Sequence, residues 1–386
     1  MAGGIELETT LAYAQGAYTV AAAFGSEGDT AHLVLDTGSS TLAVTPRAYQ
    51  PGRDRALQRT PWVQDIRYGG GRWSGPVLRS RLGFGRGRHA RAIDDALFAL
   101  IETDAAFLRD ADGLWGLAYA GLDPASEADV AAAPRTWLTP AFSALEEEGV
   151  VRNRFALAVG RAVVHARDGA TTARQRAADP LNRGTLVLGG GSEQQHLYRG
   201  GFQDVRILHD LYYNANLRWL RVGDDAPIPV PALAPADLAT HHSNALLDTG
   251  SSFLVFDDAT YAALLAALAR RDPRFPDLVA RAQRALAAGD GLPDAEVDLR
   301  HWPDLHLGLE APNGRDAVLR IPAAQYWPGN ALRTGRRLCL LGAPLPHFRG
   351  QSILGLPLFA GRYAVFDRGA GGGLGVVRFA AARQAA

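Results

Sequence analysis

A chain of 386 residues with 40 basic and 40 acidic side chains carries no formal net charge, which excludes a protein drawn to nucleic acid or anionic lipid by its overall field. Hydrophobic residues make up 47%, an ordinary globular share, and the length suits two cores better than one. No apolar run is long enough to cross a bilayer as a helix, and Cys339, the single cysteine, has no partner for an intramolecular disulfide. A reducing compartment follows as the expectation. With an amino terminus that lacks the regions of a secretory leader, so does a cytoplasmic location. Every cation is Arg, and the heavy Ala and Gly content reads as a GC-rich, bacterial genome.

In chain order, the first 120 residues punctuate like β-structure. Short apolar runs such as AYTVAAAF, AHLVLD and STLAVTP are bounded by Gly, Asp, Ser and Pro. TPAFSALEEEGVV then predicts a helix with Thr139 as N-cap, Pro140 at the first helical position and a stop at Gly149. Residues 161 to 183 are polar and Arg-rich and read as a surface excursion. TLVLGGG, FQDVRILHD and LRWLRVGDD follow as three short strands, and the boundary between two lobes is placed among them at Asp204, giving lobes 1–204 and 205–386. DDATYAALLAALARRD predicts a second helix, opened by Asp257 or Asp258, with Tyr261, Leu264, Leu265 and Leu268 on one stripe. The tail ends in one more strand.

The chain spells LDTGSS twice, at 35–40 and 247–252, with Asp36 and Asp248 212 residues apart (248 − 36). A solenoid repeats every 20 to 50 residues or so, and two copies at this distance mean two lobes. Each Asp ends an apolar strand and opens a tight turn. There Gly lets backbone amides close on the carboxylate and the hydroxyls can hydrogen-bond it. One such turn is ordinary. Two meeting at a pseudo-twofold axis bring two carboxylates close enough to share a proton, which makes one a base while its neighbour stays an acid. Water between them can then be deprotonated as it attacks a peptide carbonyl.

With these residues the sequence resembles the pepsin-like aspartic peptidases over nearly its whole length. Leu114-Trp115-Gly116 and Ile353-Leu354-Gly355 match the apolar-apolar-Gly segments that thread beneath each catalytic loop of that family. IRYGGGRWSG is similar to the family flap, with Tyr68 at the flap tyrosine and Gly69 and Gly70 where flap backbone meets substrate. LYYNANLRWLRVG resembles the opening of the second lobe, where the resemblance places an aromatic facing the cleft at Tyr213. It implies a mostly β, bilobal fold and an endopeptidase that prefers hydrophobic residues around the cleaved bond, works as a pepstatin-sensitive monomer, and needs no metal or other cofactor. It also implies that Asp36 and Asp248 are catalytic, that Thr37 and Thr249 cross-brace the two loops, that Gly38 and Gly250 close the turns, and that Ser39 and Ser251 hydrogen-bond the carboxylates. LETTLAYAQGAYTV resembles mature first strands, so no propeptide is expected.

Two positions depart from the family. Ala43 stands where a Trp usually steadies the flap tyrosine, leaving the indole of Trp62 or Trp73, or a water molecule, to take its place, and Gly70 replaces the usual Thr, Ser or Asp. A pepsin-fold binding or inhibitor protein without activity is the alternative, although such proteins usually lose a motif that is intact here. A glycosidase needs only the two carboxylates and leaves the paired DTGSS and the flap unexplained. The Arg, Gly and aromatic mixture of 67–91 reads as hairpin rather than nucleic-acid binding. His241, His242, His301 and His306 show no metal spacing, LVLGGGSE no phosphate-loop pattern, and Cys339 reads as a small buried hydrophobe.

Overall fold

The computed structural model describes residues 4–85, 87, 90–103, 105–128, 130, 133–240, 242–344 and 350–383. It is mostly β. Strand Asp29–Asp36 shows how the sequence sets the site: Ala31, Leu33 and Leu35 alternate into the core, so Asp36 falls on the opposite, less buried face. The strand pairs in parallel with Gly113–Gly116, and Leu42–Val44 returns antiparallel on the far side of that segment. The second half repeats the arrangement. Ala245–Leu247 runs parallel to Ser352–Leu354, and Leu254–Val255 returns antiparallel beside it.

Fifteen strands form one continuous sheet that links the two halves of the chain. Arg362–Asp367 and Val376–Ala382, near the carboxyl end, insert between Arg154–Val159 and Tyr198–Arg206 from the first half. Asp204 pairs with Arg378 within strand Tyr198–Arg206, so a division at 204 runs through a strand. Among the described residues the remainder of the second half builds a five-stranded, a four-stranded and a two-stranded sheet of its own.

The first predicted helix covers Ala141–Glu147, with Pro140 rather than Thr139 at the N-cap and no side-chain cap. Proline's fixed φ takes the extended conformation that the cap requires. Gly149, at φ +69°, stops the helix as expected. Asp257 caps helix Asp258–Arg271 by accepting from the N–H groups of Ala259 and Thr260, both at 3.1 Å, and Leu264 and Leu268 face the core. Helix Phe275–Ala287 follows, past the Asp272 at which the sequence reading ended. Pro276 starts it, since the first turn needs no N–H, and Phe275, Val279 and Ala282 bury one face. The stretch from 161 to 183 is less superficial than its polarity suggests: Ala162, Val163 and Val164 are core residues, and Asn182 is fully buried.

Candidate active site

The two LDTGSS loops meet. Thr37 Oγ1 donates to the Leu247 carbonyl (2.8 Å) and accepts from Thr249 N–H (2.9 Å); Thr249 Oγ1 donates to the Leu35 carbonyl (2.9 Å) and accepts from Thr37 N–H (3.2 Å). Four buried hydrogen bonds thus tie the two halves together directly beneath the carboxylates. The apolar-apolar-Gly segments hold the loops from below. Gly116 N–H donates to the Thr41 carbonyl and Gly355 N–H to the Phe253 carbonyl. A Cβ on Gly116 would lie 2.4 Å from Ser40 backbone, and one on Gly355 would lie 2.4 Å from the Ser251 and Phe253 carbonyl oxygens. Only glycine permits that approach.

Gly38 N–H donates to Asp36 Oδ1 and Gly250 N–H to Asp248 Oδ1, each at 2.8 Å. The Ser39 hydroxyl donates to Asp36 Oδ2. Ser251 differs: its hydroxyl turns toward Phe253, and it reaches Asp248 through its main chain instead. A Cβ on Gly250 would sit 2.4 Å from Asp36 Oδ1, and one on Gly38 would sit 2.8 Å from Asp248 Cγ, so each glycine makes room for the opposite carboxylate. Burial first, then the charge of Asp36 and a hydrogen bond with it, raise the Asp248 carboxyl well above the ordinary range.

The flap is a hairpin of Gln58–Tyr68 and Gly71–Phe84, with Tyr68 opposite Gly71 and the exposed Gly69 and Gly70 at its two-residue tip. It covers a cleft cavity of about 760 Å³ lined by Gly38, Ser39, Ile66, Tyr68, Leu122 and Tyr212, among others. Here one expectation is corrected by a single residue. Tyr213 is 1% exposed in the core, where its hydroxyl donates to the Leu117 carbonyl, and Tyr212 faces the cleft. In an extended chain adjacent residues point to opposite faces, and a Tyr-Tyr pair does not announce which is which. Burial and the charges of Asp36 and Asp248 raise the Tyr212 phenol. Of the histidines, His301 lies against Asp298 and His241 falls outside the described residues; the Cys339 thiol is fully enclosed and pushed up to about 12.

A family model described as eukaryotic aspartyl protease matches residues 17–375. The chain belongs to that family. Its match spans both DTGSS loops, the flap and both supporting segments, and the family's members are peptidases.

Against the family pattern, the space left by Ala43 is filled from across the flap. Trp73, fully buried on the return strand opposite Ile66, packs in one cluster with Ala43, Leu114, Ile66 and Tyr68, whereas Trp62 packs elsewhere, with Val77 and Leu138. The Tyr68 hydroxyl and the Trp73 indole N–H are both buried and neither makes a hydrogen bond of regular geometry. Burial and the Asp36 charge push the Tyr68 phenol up, with Trp73 and Ser39 close enough to act the other way. The ring is therefore expected to contribute more than the hydroxyl. Tyr68→Phe is expected to stay within about threefold of the parent in kcat/KM, and Tyr68→Ala, which uncovers the cleft, to lose on the order of 10²-fold. Equal losses would show that the hydroxyl is used.

Sequence reasoning missed Asp123, 5% exposed beside the cleft, because its partner lies 59 residues away. Gln64 of the flap strand donates to it at 2.6 Å, and Thr41 lies alongside. Burial outweighs both and raises its carboxyl from 3.8 to about 7. Between pH 4 and 7 the unfolded chain releases this proton while the folded chain keeps it, so stability falls as pH rises across that window. The loss amounts to at most about 4 kcal/mol. Asp123→Asn, which mimics the protonated acid, should remove that part of the decline in urea unfolding followed from pH 4 to 8. An unchanged slope would contradict the assignment.

Proposed function

We propose that the protein is an aspartic endopeptidase in which Asp36 and Asp248 share one proton and activate a water molecule for attack on a peptide carbonyl. The observation that carries this reading is the pair itself: two carboxyl groups, each held by the amide of its own loop glycine and each given room by the glycine of the opposite loop, above a four-bond threonine brace. Asp248, whose surroundings favour the neutral form, keeps the proton and donates it toward the carbonyl oxygen, which leaves Asp36 to take a proton from water. The proton that Asp36 receives is the one the departing amine requires. Tyr68 and the exposed amides of Gly69 and Gly70 close over the peptide and exclude solvent. Val63, Ile66, Leu122 and Ala125 in the cavity wall support a preference for hydrophobic side chains around the cleaved bond.

The test is incubation with a diverse peptide mixture from pH 2 to 8, with and without pepstatin. Cleavage at acid pH that pepstatin blocks is the expected result. Peptides bound but uncut at every pH would instead fit a pepsin-fold binding protein.

A further inference from the structure

We propose that the cleft selects peptides with an acidic side chain on one side of the cleaved bond, and that Arg135, aided by Arg67, reads it. This deepens the peptidase reading and rests on it. The cavity runs from Gly38 and Ser39 at the dyad, beneath the flap, to Arg135 and Trp137. Three large hydrophobic side chains stand out as exposed among the described residues, and two of them, Val130 at 48% and Trp137 at 54%, line this cavity. An exposed aromatic beside a cation, at the end of a cleft that begins at the catalytic pair, is a surface suited to an extended chain with a carboxylate.

The local charge favours an anion. Asp65, the ionised acid in the lining, is already bonded by both forks of the Arg72 guanidinium. Arg67 is exposed and acts on Asp65 only through its field. Arg135 is exposed and makes no ion pair or hydrogen bond among the described residues. Asp123, behind the wall formed by Leu122 and Pro124, is protonated through the acid range, and Tyr68 is neutral there. Glu127 ends the strand that pairs with Thr136–Trp137 and is exposed but does not line the cavity, so the lining itself sets Arg67 and Arg135 against Asp65, which Arg72 already holds. A guanidinium matches a carboxylate with two parallel hydrogen bonds, and in solvent such a pair changes affinity by roughly three- to fivefold.

The test uses one cleaved peptide in which each position in turn carries Glu or its uncharged counterpart Gln, at pH 3 and pH 5. The free Glu carboxyl titrates near 4.3, so the preference should emerge between these values. The expected result is a Glu-to-Gln ratio in kcat/KM of about three to five at pH 5, confined to one side of the cleaved bond and near one at pH 3. The ratio should drop in Arg135→Gln and vanish in Arg135→Gln with Arg67→Gln; it is taken within each variant, and circular dichroism establishes that each is folded. A ratio near one at every position while the peptide is cut, or a ratio untouched by the double substitution, overturns the proposal and leaves the peptidase reading standing. No cleavage of any peptide overturns the peptidase reading itself.

Discussion

Asp36→Asn and Asp248→Asn are each expected to lower kcat on the order of 10⁴-fold, with the double variant hardly worse than either single one. An amide cannot pass between acid and base, and a pair that holds one proton between two oxygens works only as a pair. Fold should survive. Gly38 N–H and Gly250 N–H can still donate to the remaining side-chain oxygen, and removing one of two facing carboxylates relieves rather than adds repulsion. Substantial turnover by a purified single variant, measured against a mock purification, would contradict the assignment of that residue.

Thr37→Val and Thr249→Val should each cost about 2 to 4 kcal/mol in urea unfolding. Valine keeps the shape and removes a donor and an acceptor at positions only 0% and 3% exposed. In Thr37→Val the Leu247 carbonyl and Thr249 N–H lose their partner; in Thr249→Val the Leu35 carbonyl and Thr37 N–H do. Neither pair has water to turn to. Because the same bonds align the two carboxylates, activity of the folded fraction should fall as well, by roughly 10- to 100-fold, as expected for a catalytic group displaced by an ångström or less. Serine at either position retains the hydroxyl and should restore most of both. A loss of stability without loss of activity would mean that the brace joins the halves but does not set the dyad.

The parts of this site that could be read from the residues themselves are those written twice, whereas the flap, written once, came only with the resemblance. Asp36 and Asp248, the threonines behind them and the glycines beneath them occupy identical hexapeptides and matching supports, and repetition made a common turn specific. What the repeat could not convey is where the copies diverge. Ser39 bonds its carboxylate through the hydroxyl and Ser251 through the main chain, because Phe253 draws the second hydroxyl away. Strand alternation gives a residue's face only once register is known, which is why Tyr212 rather than Tyr213 reaches the cleft. Contacts made across the fold left little local trace: the sequence offered Trp62 and Trp73 alike, and nothing in it pointed to Asp123. Trp73 beside Ala43, and Gln64 on Asp123, are joined only by strand pairing. Helix Phe275–Ala287 carries Pro276 in its first turn, where a proline begins a helix as readily as it ends one, and the reading of the preceding helix stopped short of it at Asp272.

If one proton shared between Asp36 and Asp248 drives peptide hydrolysis, the pH dependence of kcat/KM on a single quenched peptide from pH 2 to 9 reports it directly. Asp248 is raised by burial and by its neighbour, so the working, singly protonated pair persists upward from acid pH and is lost as pH passes through that raised value. The expected profile has an acid maximum and a descending limb as the last shared proton leaves. A rate that climbs monotonically through pH 8, from the same preparation and with the same pepstatin-sensitive activity, would contradict it.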